Sequence, residues 1–168
     1  ATGIAGTAGL GKTTTAKWLA HNPVVRSTFR DGIFWLEFGK DRTAVELLLQ
    51  LARRLNVPDD VYEKLRSDRN VNEVRDAVAQ KLASGSFLLI LDDVWNDLQP
   101  KPFKELARGR SITVLMTTRS SSIVEAYCAK QQLPLRPFED DAAKEILVQS
   151  SGKPRAALHS PSLQKLVK

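Results

Sequence analysis

Eight residues near the start of the chain, Gly6-Thr7-Ala8-Gly9-Leu10-Gly11-Lys12-Thr13, follow one order: glycine, four residues, then Gly-Lys-Thr. No other stretch narrows the possible folds as far. Four of the nine glycines (Gly3, Gly6, Gly9 and Gly11) fall in the first eleven residues. They lie between a short apolar piece, Ile4-Ala5, and a helix-like run from Lys12 to Ala20, so the segment reads strand, glycine loop, helix. Successive backbone N–H groups in such a loop can curl around a phosphate, and glycine lets the backbone come close or take positive φ. The helix opening at Lys12 aims its N-terminal N–H groups and positive dipole end at the same anion. Lys12 is placed to reach the β- and γ-oxygens, and the Thr13 hydroxyl to ligate Mg2+. Gly6, Gly9, Leu10, Gly11, Lys12, Thr13 and Thr14 are therefore the candidate nucleotide-binding residues.

The rest of the chain supplies a setting for that loop. Residues 32–38, Gly-Ile-Phe-Trp-Leu-Glu-Phe, read as a strand bounded by Gly32 and Gly39. Apolar residues at 44, 48, 51 and 55 mark a helix that Asn56-Val57-Pro58 closes. A second stripe (Val71, Val74, Val78, Leu82) is opened by Asn70, with Glu73 three residues on in the manner of a capping box. Residues 86–91 and 112–117 are short, continuous and apolar, as strands covered on both faces are. Residues 133–135 suggest a last strand, 141–149 a helix, and 164–167 the start of another. Strands alternating with helices predict an α/β fold with three layers and a parallel sheet.

Two strand ends carry chemistry. Phe87-Leu88-Leu89-Ile90-Leu91 runs into Asp92-Asp93. A buried strand ending in carboxylates beside a phosphate loop can hold Mg2+ and its waters through Asp92, leaving Asp93 to polarise an attacking water. Ile112-Thr113-Val114-Leu115-Met116-Thr117-Thr118 leads to Arg119. In a parallel sheet all strand C-termini open on one edge, which brings Arg119 near the loop, where a guanidinium can sense a γ-phosphate. Thr13 and Asp92 are thus the candidate metal ligands, and Asp93 and Arg119 the candidate catalytic residues.

Charge excludes some alternatives. The chain holds 25 Lys and Arg against 19 Asp and Glu, a formal charge of +6, and each half carries +3. Without a basic stripe, nucleic-acid binding is not expected. The longest aliphatic and aromatic run is far short of the ~20 residues that span a bilayer. One cysteine, Cys128, excludes an internal disulfide and suits a reducing, cytoplasmic setting. Cys128 reads as a small half-buried residue, and His21 and His159 as surface or helix-end residues. Trp18 and Trp35 are expected in the core, with Trp95 over the sheet edge. Glu139-Asp140-Asp141 suits the start of a helix.

Four segments together resemble the NB-ARC domain, the nucleotide-binding switch of plant disease-resistance proteins and the apoptotic protease-activating factor. They are residues 3–14, 31–36 (Asp-Gly-Ile-Phe-Trp-Leu), 88–95 (Leu-Leu-Ile-Leu-Asp-Asp-Val-Trp) and 115–119 (Leu-Met-Thr-Thr-Arg). The resemblance implies a P-loop NTPase in which Lys12, Thr13, Asp92, Asp93 and Arg119 occupy the phosphate, magnesium, Walker-B and first-sensor positions. It also implies ADP or ATP with Mg2+, at most slow hydrolysis, and a switch that works with further domains and can assemble as a homo-oligomer when active. The expected division is a nucleotide-binding domain over 1–138 and the start of a small helical subdomain over 139–168. The family's first strand is longer, so the chain is expected to be a fragment. The family's Gly-Leu-Pro-Leu segment is expected beyond Lys168 rather than at Gly152-Lys153-Pro154-Arg155. A scaffold locked on ADP without hydrolysis, a phosphotransferase and a nucleic-acid-binding switch remain the alternatives.

Overall fold

The computed structural model describes residues 1–128, 132–135 and 139–150. The chain divides into two units, Ala1–Leu135 and Arg136–Lys168. In the first, the elements run β1 (Thr2–Ala5), α1 (Lys12–His21), α2 (Pro23–Thr28), β2 (Gly32–Glu37), α3 (Ala44–Arg54), α4 (Asp59–Asp68) and α5 (Val71–Lys81). They continue with β3 (Phe87–Val94), α6 (Lys101–Ala107), β4 (Ile112–Thr118), α7 (Ser121–Cys128) and β5 (Gln132–Pro134). In the second unit the described element is α8 (Asp140–Ser150), which starts within the acidic Glu139-Asp140-Asp141. The helix read at 164–167 and the segment around Pro154 lie outside the described residues.

All five strands are parallel, in the order β2-β3-β4-β1-β5. β1 thus stands between β4 and β5, which places the loop after it inside the sheet's C-terminal edge. Strand alternation sorts the apolar residues onto two faces. Leu89 and Leu91 of β3 and Val114 and Met116 of β4 join the larger cluster under α3, α5, α6 and α7. Leu88, Ile90, Leu115 and Ile4 join Ala16 of α1 in the smaller one. A sheet buried on both faces explains why β3 and β4 read as continuous apolar runs.

Several local expectations need correction. Trp18 is 64% exposed. The buried stripe of α1 contains Lys12 and Ala16, and two residues on from Ala16 is roughly 200° around a helix, so Trp18 faces outward. Trp35 is half-buried against the smaller cluster. Cys128 is fully buried rather than half-buried, and burial pushes its thiol pKa up. Asn70 does cap α5 through the Asn72 N–H (3.0 Å), but Glu73 accepts from the Asn70 side-chain amide (3.0 Å) instead of the backbone. Asparagine has an N–H2 donor that serine and threonine lack. The reciprocal capping box belongs to α3, where Thr43 and Glu46 each take the other's backbone N–H.

Gly3 marks where α7 comes closest to β1. A Cβ there would stand 2.6 and 2.8 Å from the Val124 methyls and 2.9 Å from Cys128 Sγ. Gly3→Ala is therefore expected to cost about 1–3 kcal/mol through overpacking, read as a lower denaturant midpoint.

Candidate functional site

Between β1 and α1 the chain turns through Gly9 and Gly11, each at φ 81°. A Cβ at either would meet nothing within 4 Å, so these glycines serve the left-handed backbone and leave the loop's inner side open. Gly6 is crowded by Leu10 Cδ1, 2.8 Å from where its Cβ would be, and Leu10 thereby packs the loop on itself. Gly11 is the N-cap of α1, with no side chain capping the helix and no acidic residue in its first turn. The first N–H groups of α1 accordingly face the loop without a built-in anion.

Lys12 is 8% exposed. Its ammonium donates to the carbonyls of Gly6 (2.8 Å) and Thr7 (2.7 Å), so it closes the loop beneath the cradle. Burial holds its pKa below the ordinary lysine value, Arg119 lowers it further, and Asp93 and Asp92 oppose the shift. A buried cation short of negative charge is suited to an incoming phosphate.

β3 and β4 complete the arrangement. Their register slips by one residue: Leu91 pairs with Met116, but Val94 with Thr118. The extra residue is a β-bulge, and Asp93 sits in it at φ 54°. A regular strand would send residues 92 and 93 to opposite faces. The bulge lets both carboxylates work at the same strand end. Asp92 is buried and accepts from the Thr13 hydroxyl (2.9 and 3.2 Å) and the Thr117 hydroxyl (2.6 Å). Thr117 in turn accepts the Asp93 backbone N–H (2.9 Å), which pins the bulge. Thr118, also buried, donates to the Val94 carbonyl (2.7 Å) and fixes the last turn of the strand pair. Asp93 presents Oδ1 3.9 Å from Arg119 Nε.

A cavity of about 280 Å3 opens among these groups, and Gly9, Gly11, Lys12, Thr14, Asp93 and Arg119 are in its lining. Larger cavities, about 590 and 570 Å3, lie beside α3 and beneath α1 and α2. Neither contains the glycine loop, and size without an amide cradle is a poor guide to a phosphate site. Among the described residues no group of three or more His, Cys, Asp or Glu could hold a metal by itself. Thr13 and Asp92 fit Mg2+ by donor chemistry: both are hard oxygen donors, and such an ion commonly takes one or two protein ligands plus phosphate oxygens.

The structure thus brings together the sequence's loop, carboxylate pair and arginine. Thr117 and Gln99 were not foreseen. Thr117 was legible only as a hydroxyl at a strand end. Gln99 lies in an unpatterned loop, yet it is buried and accepts from the backbone N–H of Trp95 (2.7 Å).

Comparison with known proteins identifies the family. The NB-ARC domain signature matches residues 1–156. The chain belongs to the NB-ARC family. Disease resistance RPP8-like protein 3 of Arabidopsis thaliana is 31% identical over 121 residues, covering 71% of this chain and 13% of that protein. Disease resistance RPP13-like protein 4 of the same plant is 28% identical over 138 residues, covering 79% and 15%. The chain therefore spans a small part of these relatives' length. Two solved structures share the fold, each covering 99% of this NB-ARC chain at TM-score 0.52. One is an E. coli HORMA:CdnC:Trip13 complex (17% identity, 57% of that chain), the other Drosophila ORC bound to AT-rich DNA and Cdc6 (13%, 70%). Among the described residues no helix is long and apolar enough to cross a membrane.

Proposed function

We propose that this NB-ARC domain binds ADP or ATP together with Mg2+, hydrolyses ATP slowly, and uses the difference between the two nucleotides to switch a larger signalling protein. The supporting observation is the meeting of three segments distant in sequence, the glycine loop, the β3 bulge and the end of β4, around one cavity. In this reading the amides of Gly9, Leu10 and Gly11 and the α1 N-terminus hold the phosphates. Lys12 exchanges its loop carbonyls for phosphate oxygens, and Thr14 lines the same wall. Thr13 and Asp92 hold Mg2+, which supplies charge neutralisation to the polyphosphate when bound. Asp93 orients and deprotonates a water, and Arg119 contacts the γ-phosphate.

Residues from 139 onward begin a helical subdomain that follows the nucleotide state, and activated copies assemble with one another. Each nucleotide shifts the population only through contacts that differ between the two states, and a γ-phosphate held by Arg119 is such a contact. The names of the relatives point to disease resistance as the signalling output.

Asp93→Ala separates hydrolysis from binding. Single-turnover phosphate release from ATP is expected to slow by about 100-fold, with ADP affinity not reduced, because the hydrogen bonds that close the loop run from Lys12 to Gly6 and Thr7, and those of Thr13 go to Asp92. Release at the wild-type rate would remove Asp93 from the base role. Tight ADP binding with no release even in the wild type would favour the locked scaffold instead.

A further inference from the structure

Trp95 stands one residue beyond β3, and four interactions converge on it. Its indole N–H donates to Asp93 Oδ2 at 2.8 Å. The Arg119 guanidinium carbon and the Lys40 ammonium each lie 4.8 Å from its ring centroid. Its backbone N–H is held by Gln99, whose amide also donates to the carbonyls of Gly39 (3.0 Å) and Arg42 (3.2 Å). Gln99 thus staples the loop after β3 to the loop after β2, and Trp95 sits at the staple.

The direct Asp93–Arg119 ion pair cannot hold these groups by itself. It spans 3.9 Å, and Arg119 is 52% exposed, so solvent screens it to little net effect. A guanidinium over an indole face keeps its orientation under the same exposure, because the ring removes water from one side. The indole also divides the Asp93 carboxylate: Oδ2 is engaged, and Oδ1 is turned toward the cavity side where Arg119 lies.

We propose that Trp95 is a positioning residue of the nucleotide site, with two separable roles. Its ring is the platform that keeps Arg119 facing the end of the cavity where a γ-phosphate arrives, and its N–H fixes the Asp93 carboxylate for the attacking water. This rests on the nucleotide reading above. The same residue is tied to the β2–α3 loop, through Lys40 over its ring and through Gln99 on its backbone N–H.

The roles use different parts of the side chain, and substitution can part them. Trp95→Phe keeps a ring and loses the donor; Trp95→Leu loses both. The test is calorimetry of the intact protein with Mg2+ and either ADP or a non-hydrolysable ATP analogue, alongside single-turnover phosphate release from ATP. For Trp95→Phe the expected result is a nearly wild-type ratio of analogue to ADP affinity, with release slowed about fivefold. For Trp95→Leu the analogue should bind about three- to fivefold more weakly while ADP binding holds. Tryptophan fluorescence gives a second readout. The analogue should change it more than ADP does, and Trp95→Phe should abolish that difference although Trp18 and Trp35 remain.

A Trp95→Leu variant that weakens ADP and analogue alike has a merely structural role, and one that matches the wild-type ratio has none; either overturns the inference. If Trp95→Leu does not fold, an unchanged release rate in Trp95→Phe, or a fluorescence response equal for both nucleotides, overturns it. Loss of all nucleotide binding by the wild type would sink the reading of the site itself, a distinct outcome.

Discussion

Lys12→Ala is expected to weaken ADP and ATP binding by at least about 100-fold, an energetic loss of roughly 3 kcal/mol for a buried, charge-assisted contact. The ammonium lies beneath the glycine loop, 8% exposed, with two backbone carbonyls as its partners. Neutral carbonyls satisfy its protons without neutralising its charge. Binding a polyphosphate there replaces them with anionic oxygens, and alanine has nothing to offer in exchange. The fold should survive, because the freed carbonyls of Gly6 and Thr7 lie in an incompletely buried loop that water can reach. A control follows from the pKa direction. Burial, reinforced by Arg119, lowers the Lys12 pKa in the native state, so the charged form carries a penalty at neutral pH. That penalty shrinks as pH rises through the lowered native pKa toward the unfolded value of 10.5. Without nucleotide, the wild type should therefore gain stability relative to Lys12→Ala between pH 7 and pH 10, read from paired thermal melts. Equal nucleotide affinity in the two proteins would remove Lys12 from the site.

Asp92→Asn is expected to remove the magnesium dependence of ATP binding. Asp92 is buried and accepts three contacts from two threonine hydroxyls. Asparagine is nearly isosteric, and each hydroxyl can turn to accept from its amide, so the β3–β4 junction keeps its hydrogen bonds. What disappears is the negative charge facing Thr13. Affinity for ATP with Mg2+ should fall roughly 10- to 100-fold, while ADP measured in EDTA changes little. Calorimetry with and without EDTA reads both effects. The wild type should lose affinity when the metal is chelated, and Asp92→Asn should respond little. A variant with unaltered magnesium response would leave Asp92 as a structural acceptor for Thr13 and Thr117 and nothing more.

The features legible in the sequence were those that depend on composition over short spans. The glycine loop needs glycine at Gly9 and Gly11 because the backbone there takes φ 81°, and spacing alone exposes that requirement. β3 and β4 were legible because a sheet covered on both faces allows only apolar residues. No apolar stripe marks the short helices α2 and α6 in the sequence. Each opens at a proline that the helical pattern treats as a breaker, although Asn22 caps α2 by accepting from Val24 and Val25. α4 has one buried residue, Leu65, so its apolar stripe is too thin to stand out.

Within the site, Lys12, Thr13, Asp92 and Arg119 could be placed because parallel strands all end on one edge. The β-bulge could not. Its evidence is a one-residue slip between Leu91–Met116 and Val94–Thr118 and a left-handed aspartate, and neither leaves a trace in residue type. Trp18 shows the opposite failure. A large apolar residue was expected inside, but its angular position on α1 faces water, and single exposed aromatics are ordinary on protein surfaces.

The central claim is that the loop, the carboxylate pair and the arginine form one polyphosphate site. Its most direct test is isothermal titration of the intact protein, stripped of copurified nucleotide, with ADP and with a non-hydrolysable ATP analogue in the presence of Mg2+. Saturable binding of one nucleotide per chain is the expected result, weakened by at least about 100-fold in Lys12→Ala. Protein that melts cooperatively yet takes up neither nucleotide would contradict the account.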